Sequence, residues 1–113
     1  MWQKGSKFGA KKTEYNGIVY DSKREAEYAR DLDIMKQAGM ILDYERQPVF
    51  PLQDRFIKNG KVYRPIRYVA DFKVTYPDGR VEIIDVKGFK TTEFKLKEKM
   101  FHYRYRDLDL ILV

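Results

Sequence analysis

The stretch YVADFKVTYPDGRVEIIDVKG, residues 68–88, decides how this chain reads. Pro77, Asp78 and Gly79 between two apolar-rich runs predict a type I turn, with Gly79 taking positive φ as a bulge. Residues 68–76 and 80–87 then form an antiparallel hairpin in which Tyr76 meets Arg80. The same register sets Asp71 opposite Asp85. Directly opposed side chains have Cβ atoms roughly 4.5–5.5 Å apart, and like charges there repel. A fold that keeps the two carboxylates so close holds something cationic between them. Lys87 lies two residues beyond Asp85 and points to the same face by the two-residue period of a strand. The arrangement predicts a metal site.

Along the first strand of the hairpin, Tyr68, Ala70, Phe72, Val74 and Tyr76 fall on one face. Asp71, Val69, Lys73 and Thr75 fall on the other. The second face could be an ordinary solvated one, with Lys73 and Lys87 neutralising the acids. Against that, Val69 and Ile83 share it with Asp85 and Lys87, which makes it the floor of a pocket. A charged pair in a strand otherwise made of Val81, Ile83, Ile84 and Val86 is a costly choice and so an informative one. The same acid-any-lysine spacing at Asp21/Lys23 and Glu93/Lys95 falls at helix starts, where acids are expected anyway.

Outward from this hairpin, Ser22 and Glu25 match a capping box and Gly39 supplies a stop, so a helix is expected between them. Tyr28, Ala29, Leu32 and Met35 form its apolar stripe, with Glu25 at the stripe's head. The cap alone accounts for Glu25, yet its register directs it towards the aspartates, making it the third candidate. Asn16-Gly17 and Asn59-Gly60 predict tight hairpin turns. Strands are expected over 40–44, 49–52 and 62–76, the last bent or at an edge near Pro65. A second helix is expected over 92–106, with Phe94, Leu96, Met100, Phe101 and Tyr105 inward. A strand over 108–113 follows it, parallel to 80–87 through a crossover. The fold class is α+β, with a central mixed sheet of four to five strands flanked by helices. Residues 1–12 read as a flexible basic arm and 13–113 as a single domain.

The 113 residues include no cysteine, which excludes disulfides and thiolate zinc sites. No apolar run is long enough to span a membrane and no signal peptide is evident, so the expected setting is the cytoplasm. A net charge of +6 favours a polyanionic partner, nucleic acid first. Lys4, Lys7, Lys11 and Lys12 form the basic arm. Lys95, Lys99, His102 and Arg106 recur as a stripe along the second helix, suited to a phosphate backbone. His102 is the only histidine, so an all-oxygen carboxylate site for Mg²⁺ or Mn²⁺ is the better expectation.

Five short segments in order resemble the PD-(D/E)XK nuclease superfamily, and within it phage-type Holliday-junction-resolvase-like endonucleases. They are residues 20–26 (YDSKREA), 45–48 (ERQP), 68–72 (YVADF), 85–88 (DVKG) and the lysine-rich 95–97 (KLK). The resemblance implies an α-β-β-β-α-β core, with Asp71 and Asp85 as metal-binding acids and Lys87 as the catalytic lysine. Glu25 would be the acid supplied by the first helix, and Gln47 would support the site from behind. Ala70 stands where the name-giving proline would be. The activity implied is Mg²⁺-dependent cleavage of branched DNA by a homodimer, with one or two ions per site. Linear-duplex or restriction-type cleavage is the alternative within the enzyme class. A basic nucleic-acid-binding protein without catalysis is the alternative outside it.

Overall fold

The computed structural model describes residues 11–86 and 88–113. Lys4, Lys7 and Lys87 therefore lie outside the described residues. The chain opens with a hairpin, β1 (Thr13–Tyr15) and β2 (Ile18–Tyr20), turning at Asn16 and Gly17. Both turn residues have positive φ, at 53° and 82°, as a type I′ turn requires.

Ser22 then caps α1 (Lys23–Gln37), its Oγ accepting from the Glu25 N–H at 3.1 Å. At the other end Gly39, with φ of 77°, closes the helix. The N–H groups of Gly39 and Met40 return to the Lys36 and Met35 carbonyls, the Schellman pattern. That closure holds Met40, so the strand expected from residue 40 begins only at Asp43. Ile41 is buried, while Met40 and Leu42 are exposed.

β3 (Asp43–Arg46), β4 (Val49–Gln53) and β5 (Phe56–Lys58) run outward to a turn at Asn59 and Gly60. β6 (Lys61–Tyr63), β7 (Ile66–Val69) and β8 (Phe72–Thr75) run back. β3 pairs with β8, β4 with β7 and β5 with β6, all antiparallel, with one bulge between Pro51 and Gln53. Residues 43–75 are thus one long bent hairpin rather than separate strands. The bend falls where Pro48 and Gln47 face Ala70 and Asp71. Pro48 has no N–H to give a ladder, and Gln47 takes φ of 54°. Two bonds still span the bend: Gln47 N–H to the Asp71 carbonyl (2.9 Å) and Ala70 N–H to the Pro48 carbonyl (3.2 Å).

After the turn at 77–79, β9 (Val81–Asp85) pairs antiparallel with β8 in the register that the turn demands, Phe72 to Ile84 through Thr75 to Val81. Gly79 has φ of 91°. Thr91 caps α2 (Thr92–Arg104), accepting from the Phe94 N–H at 3.0 Å. β10 (Asp109–Leu112) returns parallel to β9. The central sheet is four-stranded and mixed, in the order β10-β9-β8-β3. The fold is α+β.

Each face of that sheet carries its own core. Ala26, Ala29 and Leu32 of α1 pack with Tyr20, Phe72, Val74, Ile84 and Val86. Phe94 and Phe101 of α2 pack with Phe50, Leu52, Tyr68, Ala70 and Ile83. Two expectations for α2 are corrected. It ends at Arg104, with Tyr105 as its cap, so Arg106 lies past the helix. Leu96 is not inward but 58% exposed, since two residues at about 100° each carry it to the far side of the helix from Phe94.

Candidate functional site

Asp85 ends β9 and is 2% exposed, on the α2 side of the sheet with Ile83. A carboxylate at that depth is stable only with donors around it. The Tyr68 hydroxyl donates to its Oδ2. Tyr68 is itself 3% exposed, and its ring packs on Phe94 and Phe101 at centroid distances of 6.0 and 5.7 Å. Burial first, and then the negative charges of Asp85, Asp71 and Glu98, drive the Tyr68 pKa far above the usual phenol value. The phenol proton therefore stays in place at any working pH, and Tyr68 acts as a fixed donor that orients Asp85.

The uninterrupted strand expected over 68–76 put Tyr68 on the same face as Phe72, away from Asp85. The structure corrects this. At Ala70 and Asp71 the strand leaves the ladder, and the alternation of faces is reset across the break. Tyr68 and Ala70 join the α2 core, while Phe72 and Val74 join the α1 core.

Asp71 occupies the break itself. Its N–H donates to the Ile84 carbonyl at 3.1 Å, one residue short of the register that the neighbouring pairs keep. Its Oδ2 accepts the Val86 N–H at 2.7 Å. The side chain thus replaces a backbone acceptor at the end of the ladder, and the carboxylate lies against the peptide that follows Asp85. The expected direct pairing of Asp71 with Asp85 is not kept: the β8–β9 ladder ends at Phe72 and Ile84, and Asp71 meets the strand end through the Ile84 carbonyl and the Val86 N–H. Lys73 sits across from Glu45 on β3.

Glu25 is 5% exposed at the head of the α1 stripe, with Ala26, Ala29 and Leu32. The Ser22 hydroxyl donates to its Oε2 at 3.4 Å. Its burial follows the stripe rather than the cap alone. Among the described residues, however, no three acidic or histidine side chains are grouped closely enough to hold a metal ion, so Glu25, Asp71 and Asp85 do not form one cluster. Gln47 has an exposed side chain; what reaches Asp71 is its backbone N–H.

Lys95, Lys99 and His102 are exposed along α2, as the stripe predicts. Arg106 is exposed too, but its Nε donates to the Tyr103 carbonyl and its guanidinium covers the Tyr103 ring. Lys11 is exposed, and Lys12 reaches Asp21 at 3.5 Å.

Sequence reasoning missed Tyr68 and Glu98. A strand-period argument places Tyr68 on the wrong side, and only the break moves it. Glu98 is half-buried on α2, paired to Lys90 at 3.4 Å and within electrostatic reach of the Tyr68 hydroxyl. Nothing in its local spacing distinguishes it from the other acids.

Residues 5–113 match the model of a family described as a protein of unknown function, DUF1064. No curated protein and no solved structure matches the chain.

Proposed function

The chain belongs to that family, and from its own side chains we propose that it is a metal-dependent DNA endonuclease hydrolysing phosphodiester bonds, with branched DNA as the favoured substrate. The observation that carries this reading is the buried Asp85, oriented by Tyr68, with the Asp71 carboxylate held on the N–H of Val86, the next residue. The donor set is all oxygen, which suits a hard cation. Mg²⁺ keeps several waters and is commonly bound by one or two carboxylates together with substrate phosphate, so an aspartate pair is enough to start a site. Asp71 and Asp85 would hold it. Such an ion supplies an acidified water and positive charge against the scissile phosphate.

The remaining roles belong to the chain. Tyr68 keeps the Asp85 carboxylate in one orientation, and the Val86 N–H does the same for Asp71. Lys87, next after Val86 in the chain, would position the attacking water or bear on the phosphate charge. Lys95 and Lys99, with Lys4, Lys7, Lys11, Lys12 and Arg106, would meet the DNA backbone. Two symmetric nicks in a junction would need a homodimer.

A second reading has an observation in its favour. Both aspartates already have structural work, in accepting a buried hydroxyl and in closing the ladder end. In that case the chain is a basic nucleic-acid-binding protein without catalysis.

Cleavage of a synthetic four-way junction and of a linear duplex, with and without Mg²⁺ or Mn²⁺, separates the two. The nuclease reading expects metal-dependent nicking that Asp71→Asn, Asp85→Asn and Lys87→Ala each reduce by roughly 100-fold or more. Wild-type rates in all three variants would exclude it.

A further inference from the structure

The outer end of the long bent hairpin belongs to neither core. Every residue from 53 to 65 is exposed, so β5, β6 and their turn project from the domain as a two-stranded ribbon. Asn59 and Gly60 have φ of 52° and 74°, giving the tip a well-formed type I′ turn. Phe56 and Tyr63 stack across the two strands, with ring centroids 4.6 Å apart and planes 4° from parallel.

The charges on this ribbon are not those of an ordinary solvated surface. Arg55, Lys58, Lys61 and Arg64 are set against the single carboxylate of Asp54. Among the described residues, none of the four cations makes an ion pair. Lys58 and Lys61 are direct cross-strand partners beside the turn. Carried one pair outward past Phe56 and Tyr63, the same register sets Arg55 against Arg64. Like charges directly opposite one another destabilise a ribbon. Each cation pair is also flanked by exposed apolar side chains, with Ile57 and Val62 at 59% and 48% exposure. A projecting strand pair with paired cations and apolar flanks suits a regularly spaced polyanion.

We infer that the β5–β6 ribbon is a DNA-binding arm, which lies in a duplex groove with Lys58 and Lys61 on phosphates and the Phe56–Tyr63 stack against the sugar edges. β-ribbons enter DNA grooves in several unrelated binding proteins, and two strands match the width of a major groove. The arm shares its partner with the nuclease reading but needs no cleavage. It lies on other elements than the α2 lysines.

The test is fluorescence anisotropy of the full chain on a labelled duplex of roughly 30 base pairs in EDTA, across a salt series from about 50 to 200 mM. Without divalent metal no cleavage occurs, so failure here is distinguishable from failure of the nuclease reading. Lys58→Gln/Lys61→Gln is expected to weaken binding by on the order of tenfold and to lower the salt slope by about 2, one unit for each phosphate that the variant leaves unneutralised. Arg30→Gln/Lys36→Gln on α1 removes the same charge elsewhere and is expected to change neither quantity appreciably. The ribbon buries nothing in either core, so circular dichroism should show the variants folded. An unchanged slope in the ribbon variant, or an equal loss in the α1 variant, would overturn the inference. So would a wild-type chain that ignores DNA yet binds phosphatidylserine vesicles, or self-associates, through the ribbon.

Discussion

Replacing Tyr68 with Phe removes one oxygen from the structure and leaves everything else in place. The ring keeps its packing against Phe50, Phe94 and Phe101, so no cavity forms. What disappears is one donor to Asp85, and both partners are almost fully out of water, at 3% and 2% exposure. Hydrogen bonds to charged groups contribute about 1.5–3 kcal/mol. Unfolding entropy near ~2.1 cal/mol/K per residue makes each kcal/mol worth about 4 °C in a chain of this length. Tyr68→Phe should therefore lower Tm by roughly 6–12 °C. Thermal and urea unfolding followed by circular dichroism measures this. Tyr103→Phe, at a 74% exposed site, is the control and should stay within about 0.5 kcal/mol of the wild type. A Tyr68→Phe protein as stable as that control would refute the idea that the hydroxyl satisfies a buried carboxylate. The orienting role assigned to Tyr68 would fall with it.

Two further outcomes follow from the same physics. Tyr44 is held above the ordinary phenol pKa by burial, and then by its 2.6 Å bond to Asp33; Tyr68 is held higher by burial and Asp85. A folded-state pKa above the unfolded one stabilises fully below pH ~10 and is lost as pH rises through the window above it, because only the unfolded chain then releases those protons. Unfolding free energy should fall above pH ~10, with a shallower slope in Tyr44→Phe, as measured by urea titration at each pH. Ser22→Ala removes the α1 cap and a partner of Glu25, and should cost about 1 kcal/mol in the same assay. An unchanged midpoint would mean that the cap does not matter.

Where a feature depended on a few neighbouring residues, it could be read in advance. The turn at 77–79 set the β8–β9 register to the residue. Ser22 and Gly39 set the ends of α1, and both Asn-Gly pairs made the expected turns. The strand after α2 returned parallel to β9. The errors came where distant segments compete for the same backbone. The strand over 62–76 read as one run, yet it breaks at Ala70 and Asp71, because its partner at that level offers Pro48 and the left-handed Gln47. Leu96 read as inward with the other apolar residues of α2, but it lies about 200° round the helix from the buried Phe94.

The sequence by itself determined the local chemistry: which residues turn, cap and alternate, and the β8–β9 register that a single turn sets. Those interactions span a few residues and need no partner to define them. Only the tertiary structure decided which side of the sheet Tyr68 faces, and so that its hydroxyl reaches Asp85. Tertiary pairing also decided that residues 53–65 stand clear of both cores. Each outcome depends on how a ladder between residues tens of positions apart bends and bulges, and a one-residue shift there moves a side chain to the opposite face.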